Sequence, residues 1–135
     1  MNNTKAIYKD IAQESQNGLV DYYPFDSYIN KGKGVFHSPS KVSNKKQAIL
    51  KDPIIKEGAV NQGVFIDDYT NINLGKKTGW FDHTDPFSIS LSLFPDKVYE
   101  DAVVFHHCEN IRLGLKGYSM FLENNHLRFV IAFSW

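Results

Sequence analysis

Apolar and polar residues alternate on both sides of the pair Asn124-Asn125. Every second residue of His126–Trp135 is apolar, and Gly117–Glu123 alternates in the same way before the pair. A period of two is typical of a strand with one buried face, and an Asn-Asn loop can adopt the positive φ angles of a type I′ turn. We therefore predict a β-hairpin that places Leu122 opposite Leu127, Met120 opposite Phe129 and Tyr118 opposite Ile131.

Shorter extended segments are predicted along the rest of the chain. The alternation is most regular in Phe87–Leu93, and the other predicted strands are Leu19–Phe25, Val35–His37, Gln47–Lys51, Gly58–Ile66, Tyr69–Leu74 and Ala102–His107. Ser27–Gly34, with two glycines, is predicted to be a loop. Many short strands without a helix between them predict an all-β sandwich or jelly roll.

The first residues follow a different pattern. Lys5–Gln16 has apolar residues on one side of a helix, and Asn17-Gly18 supplies a suitable helix end. We therefore predict a linker helix in residues 1–17, followed by a single β-module over residues 18–135.

Composition narrows the class of protein. The 135 residues suffice for one domain with a core, and 15 basic residues balance 15 acidic ones, which argues against a nucleic-acid partner. The single cysteine, Cys108, excludes an internal disulfide. The N-terminal residues contain no signal-peptide core, and no apolar run reaches the roughly 18 residues that a membrane segment needs.

Three stretches resemble concanavalin A-like modules of the laminin-G type. Residues 18–26 (GLVDYYPFD) are similar to the opening strand of these modules, and residues 84–91 (TDPFSISL) to a later strand. Residues 58–67 (GAVNQGVFID) are similar to their G-x-x-G-x-A-x-x-F-D-G stretch, with Val64 in place of the alanine and Asp68 in place of the last glycine.

A closer resemblance is to the module embedded in planctomycete-type cytochrome c proteins. Residues 83–88 (HTDPFS), 102–107 (AVVFHH) and 116–122 (KGYSMFL) are similar, in order and spacing, to three of its motifs. His83 and His107 replace arginines of that pattern, and Ser92 replaces a tryptophan.

The resemblance implies a concanavalin A-like jelly roll and an extracytoplasmic location, as part of a larger exported protein. Modules of this family continue beyond the point matching Trp135, so we expect the jelly roll to be incomplete here. An incomplete sheet would expose an edge for self-association or for contact with flanking domains of the parent protein.

Carbohydrate binding is the usual role of this fold, and it requires aromatic platforms. Trp80, Tyr99, Tyr69 and Tyr28 lie in or beside predicted loops and are candidates to stack on a sugar ring. The alternative, that these rings cap the core, is favoured. Three serines of the Phe87–Leu93 segment (Ser88, Ser90 and Ser92) can line a ligand-binding face, although an ordinary solvent face is favoured for them too.

A calcium site is the second candidate. Asp67, Asp68, Asn71 and Asn73 place four oxygen ligands within seven residues. Strand alternation puts Asn71 and Asn73 on one side and leaves the aspartates in the preceding turn, so a polar turn is the favoured alternative.

Other chemistry has less support. His106 and His107 are adjacent on a predicted strand and therefore face opposite sides, which disfavours a shared metal ion. Hydrolases of this fold present paired carboxylates along one strand, and no predicted strand carries such a pair; Glu100-Asp101 are adjacent and Glu123 stands alone at a turn. We therefore expect no enzymatic activity.

Two hypotheses follow. The first is a non-catalytic carbohydrate-binding or interaction module with a glycan as ligand. The second is a structural spacer that packs against flanking domains and binds no sugar. A degenerate glycoside hydrolase-like domain ranks well below both.

Overall fold

The computed structural model describes residues 18–43, 45–81, 84–111 and 114–132. In these ranges the chain is all-β, and every paired strand is antiparallel. The strands are β1 (Ile29–Gly32), β2 (Val35–Pro39), β3 (Gln47–Lys51), β4 (Ile54–Glu57), β5 (Gln62–Phe65), β6 (Ile72–Asn73), β7 (Ala102–Ile111), β8 (Gly114–Glu123) and β9 (His126–Ala132). No helix of the described residues has the length and apolar character to cross a bilayer. The predicted helix of residues 1–17 lies outside the described residues.

The chain divides into two compact units, Met1–Trp80 and Phe81–Trp135. The first unit contains a four-stranded sheet of order β1-β2-β3-β6 and a separate hairpin of β4 and β5. The second unit contains a three-stranded sheet of order β7-β8-β9.

The core of the first unit forms on one face of β3. Ala48 and Leu50 are fully buried, whereas Ile49 between them is exposed, as the alternation of a strand requires. Ser38 of β2 lies opposite Ala48 and is buried with it. The hairpin of β1 and β2 turns at Lys33-Gly34, where both residues have positive φ.

A polar cluster fixes the segment that precedes β1. The carboxylate of Asp21 accepts hydrogen bonds from Ser40 Oγ (2.9 Å) and Lys46 Nζ (2.6 Å), and more weakly from Thr78 Oγ1 (3.4 Å). The backbone N–H of Lys41 donates to the Tyr22 carbonyl at 2.9 Å. Side-chain hydrogen bonds and this one backbone bond therefore attach the segment to the β2–β3 loop, although the segment forms no strand pairing there.

The predicted C-terminal hairpin is confirmed. Strands β8 and β9 pair with Leu122 opposite Leu127, Met120 opposite Phe129 and Tyr118 opposite Ile131. Asn124 and Asn125 have φ angles of 48° and 64°, as a type I′ turn requires. The second strand is described as far as Ala132, so its predicted continuation to Trp135 lies outside the described residues.

Of the other predicted strands, some are confirmed and some are present only in part. Gln47–Lys51 is confirmed at its predicted bounds, Val35–His37 is confirmed within β2, and Ala102–His107 is confirmed within β7. Gly58–Ile66 and Tyr69–Leu74 contain strands only at Gln62–Phe65 and Ile72–Asn73. The predicted loop Ser27–Gly34 is wrong, because β1 lies within it and its glycines serve a tight hairpin turn.

The predictions of strands at Leu19–Phe25 and Phe87–Leu93 are wrong. Both segments lack a paired neighbour among the described residues. Asp21 is bound through its side chain in the first case, and Phe87 is held by ring stacking in the second. Alternation indicates an extended amphipathic segment but does not show where its backbone hydrogen bonds go.

Candidate functional site

An aromatic cluster covers one face of the sheet of the second unit. Its centre is Tyr118 of β8, which is buried. Phe81 and Phe87 stack on each other with ring centroids 4.7 Å apart and planes 3° apart. The rings around Tyr118 and their centroid distances from it are Phe87 at 5.2 Å, His107 at 5.4 Å, Phe105 at 6.1 Å, Phe81 at 6.3 Å and Phe129 at 6.3 Å.

Strand register explains why these side chains share a face. His107 lies opposite Tyr118, and Phe105 lies opposite Met120. A β-bulge between Val103 and Phe105 shifts the alternation of β7 by one residue. Without the bulge, Ala102 and Phe105 would lie on opposite faces. We name the face that carries Tyr118, Met120, Leu122, Leu127, Phe129, Ile131, Ala102, Phe105 and His107 the aromatic face.

A cavity of about 460 Å³ opens on this aromatic face. It is lined by Asp85, Phe87, Ile89, Phe105, Met120, Phe129 and Ile131. Phe129 and Ile131 remain 45% and 49% exposed, so the cavity is open on the side of β9. Six of the seven lining side chains are apolar, and the exposed carboxylate of Asp85 is the only ionisable group in the lining.

The interior of the cluster is electrically neutral near pH 7. Burial lowers the pKa of His107, and the neighbouring His106 lowers it further. Burial also raises the pKa of the Tyr118 hydroxyl, with a smaller contribution from Cys108. Both side chains are therefore uncharged at neutral pH and suit contact with neutral ligands.

The opposite face of the sheet is mixed, with charged, polar and apolar side chains. Arg128 Nε lies 2.8 Å from Glu123 Oε2, and its guanidinium lies 4.6 Å from the centre of the Phe121 ring. Cys108 Sγ lies 3.2 Å from Ser119 Oγ. The ion pair of Arg128 and Glu123 therefore lies on the face opposite the aromatic face.

None of the four predicted sugar platforms is among the residues that line this cavity. Tyr28, Tyr69 and Trp80 belong to the first unit, and Tyr99 belongs to the second. Tyr69 is 91% exposed and Trp80 is 53% exposed, so both offer ring surface to solvent.

The other two tyrosines are engaged by their surroundings. The Tyr99 hydroxyl donates to Asp96 at 2.6 Å, and Lys97 Nζ lies 5.1 Å from the centre of its ring. Burial raises the pKa of Tyr28, and the negative charge of Asp26 adds to the effect. Tyr69 and Trp80 are therefore the more accessible candidates.

The four predicted calcium ligands lie in and around a turn before β6. Asp67 Oδ1 accepts hydrogen bonds from the backbone N–H groups of Tyr69 (3.0 Å) and Thr70 (2.8 Å) and from the Thr70 hydroxyl (2.7 Å). These bonds lower the pKa of Asp67. Asn73 Oδ1 accepts from the N–H of Gly75 at 2.8 Å. Asp67 and Asn73 therefore use their side-chain oxygens to stabilise local turns. Asp68 and Asn71 are exposed polar residues of the same segment.

The described residues contain no group of three or more His, Cys, Asp and Glu side chains arranged to hold a metal ion. His106 lies opposite Ser119 and His107 opposite Tyr118, so the two imidazoles project from different faces of β7.

Sequence reasoning does not find the cavity. The hairpin pattern places Met120, Phe129 and Ile131 together, but it cannot show that Phe87 and Ile89 cover them. The apolar alternation of Phe87–Leu93 is a signal that this segment contacts apolar residues. However, that alternation predicts a strand within the sheet and not a segment that packs on the face of the sheet.

Comparison of the chain with protein-family models, with curated proteins and with solved structures finds no match.

Proposed function

We propose that the chain is a non-catalytic binding module whose aromatic cavity holds an apolar group of a protein partner. The observation that carries the proposal is the cavity of about 460 Å³ with six apolar side chains in its lining. This volume lies within the range of about 300–1,000 Å³ typical of ligand pockets. Apart from Asp85 the lining is apolar, and a mostly apolar lining is typical of a ligand-binding pocket.

The chemistry of the lining favours an aliphatic or aromatic group over a free sugar. A sugar ring carries hydroxyl groups on most carbons, and six of the seven lining side chains offer them no hydrogen bond. Transfer of a charged group into this mostly apolar lining is unfavourable as well. We therefore propose a neutral partner group, such as an exposed aromatic or branched side chain.

A glycan remains the second candidate. It is supported by Tyr69 and Trp80, whose rings are 91% and 53% exposed and offer flat surfaces for stacking. In this proposal the antiparallel strands belong to a concanavalin A-like jelly roll over residues 18–135 of an exported protein. The resemblance in sequence is the support for that fold type and that location. A structural spacer, the third candidate, would bind neither class of ligand.

Titration with small probes, followed by methyl NMR, tests the proposal. Toluene and benzoate are aromatic probes of similar size, of which toluene is neutral and benzoate is an anion. Cellotetraose, with or without calcium, is the glycan probe. We expect toluene to shift the methyl signals of Ile89, Met120 and Ile131, and benzoate to bind at least about tenfold more weakly.

A matched pair of variants shows where the probe binds. Ile89→Trp fills the cavity and should abolish the toluene-induced shifts, whereas Leu91→Trp should leave them unchanged. Ile89 and Leu91 are 42% and 45% exposed on the same segment, and only Ile89 lines the cavity. Cellotetraose binding that is lost in Trp80→Ala would favour the glycan candidate. A lack of response to every probe would favour the spacer.

A further inference from the structure

Within the part of the chain that the structure describes, the outer edge of β9 presents unpaired backbone groups. Among the described residues β9 pairs only with β8. A two-residue turn closes on a hydrogen-bonded pair, here Glu123 and His126. Hydrogen-bonded and non-hydrogen-bonded positions alternate along the ladder. Leu127, Phe129 and Ile131 consequently direct their N–H and C=O groups away from β8.

This edge lacks most of the features that usually protect an edge strand, and its one charged side chain, Arg128, is paired with Glu123. The sequence of β9, HLRFVIA, contains neither proline nor lysine, and its pairing with β8 shows no bulge. Leu127, Phe129 and Ile131 are 61%, 45% and 49% exposed. The opposite edge of the sheet, β7, is interrupted by the bulge between Val103 and Phe105. Strand addition is therefore favoured at β9.

We propose that a second copy of this chain pairs with β9 in antiparallel orientation, about a two-fold axis at Phe129. Phe129 then faces Phe129 of the other copy, and Leu127 faces Ile131. All three positions have outward N–H and C=O groups, so the pairing forms a continuous six-stranded sheet. The apolar side chains of both copies extend one shared aromatic face.

Two considerations favour this register among those that match the outward groups: the charge of Arg128 and the number of described β9 residues that pair. With the axis at Arg128, two arginines would face each other directly, which is destabilising. With the axis at Val130, only the five residues 128–132 of the described strand would pair with the same residues of the other copy. With the axis at Phe129, Arg128 faces Val130 and His126 faces Ala132, and all seven residues of β9 take part.

The neighbouring strand β8 of the same chain supplies a counter-charge for Arg128. The guanidinium is bound to Glu123 of the same copy at 2.8 Å and lies over the ring of Phe121. The two arginines, which are diagonal neighbours in this register, are thus each neutralised within their own chain. This pairing leaves Arg128 compatible with a second copy at the edge, and the apolar positions of β9 match their own counterparts about Phe129.

Sedimentation equilibrium over a dilution series tests the dimer. We expect the wild-type chain to approach twice the mass of one chain. Leu127→Pro removes an outward N–H without removing a β8–β9 bond, and it should raise the dimer dissociation constant at least about tenfold. Leu127→Thr keeps the N–H, so it should raise the dimer dissociation constant by less than tenfold. A wild-type chain that stays monomeric at all concentrations would overturn the proposal.

Disulfide trapping tests the register independently of any folding defect. In a Cys108→Ser background, Phe129→Cys should form a covalent dimer on oxidation, because opposed Cα atoms about 5.5 Å apart suit a disulfide. Arg128→Cys should remain largely uncrosslinked. The reverse result would contradict the two-fold axis at Phe129.

The dimer does not depend on the cavity as a binding site. Leu127 is not among the cavity-lining residues, so Leu127→Pro should still bind toluene. Loss of the dimer with retained toluene binding, or the converse, separates the two proposals.

Discussion

At the scale of single residues, Asp21 shows how a side chain can replace a strand ladder. Its side chain is only 8% exposed and accepts a hydrogen bond from Lys46 as well as one from Ser40. Asp21→Ala should lower the free energy of unfolding by about 3 kcal/mol, because both donors lose a charged, buried partner. Urea denaturation measures the change.

Asp68→Ala is the matched control for Asp21→Ala. Asp68 is exposed, and its removal should change stability by less than about 0.5 kcal/mol. Equal effects of the two substitutions would show that the cluster around Asp21 contributes nothing specific.

His107 makes the stability of the folded chain depend on pH. Burial lowers its folded pKa below the ordinary value of 6.5, so the unfolded chain takes up the proton first as the pH falls. The contribution of His107 to stability is therefore fully present above pH 6.5 and declines between 6.5 and the lower folded pKa. Urea denaturation from about pH 7.5 to 5 should show this decline, and His107→Gln should reduce the slope. Identical slopes would contradict the assignment.

At the scale of elements, the backbone of β7 leaves no space for a side chain at Gly117 of β8. A Cβ atom there would overlap the carbonyl oxygen of His107 and lie 2.8 Å from Cys108 Cα. The φ angle of 141° also disfavours a side chain. Gly117→Ala should therefore cost about 3 kcal/mol or more, measured by urea denaturation.

Gly75→Ala separates the two causes. Gly75 has a φ of 80° and open space where a Cβ atom would lie, so its substitution should cost only about 1–2 kcal/mol from the backbone. A cost at Gly117 no larger than at Gly75 would exclude the steric contribution.

Elements also show which parts of the fold the sequence can predict. The register of β8 and β9 is local, since a two-residue turn and two apolar stripes determine it together. Phe87–Leu93 has the more regular alternation but forms no ladder. Its Phe87 ring packs on Phe81 and Tyr118, a non-local contact that no period reveals.

The same distinction holds for the candidate site. Met120, Phe129 and Ile131 are predictable as one apolar surface from the hairpin. Phe105 joins them because the bulge in β7 reverses its side, and a bulge leaves no pattern in the apolar spacing of Ala102–His107. The sequence-based prediction places the sugar platforms on aromatic residues in or beside loops, whereas the cavity opens on the face of a sheet.

At the scale of the whole molecule, the balance of charge leaves no net repulsion between two copies. The formal net charge is zero at pH 7, so no long-range repulsion opposes the dimer. The proposed interface consists of backbone hydrogen bonds and apolar side chains, and Arg128 is paired with Glu123 of its own chain. Raising sodium chloride from about 0.05 to 0.5 M shortens the screening length severalfold, yet it should change the dimer dissociation constant by less than about threefold. Sedimentation equilibrium measures this constant, and a change of tenfold or more would show that charges, not the β9 edge, hold the copies together.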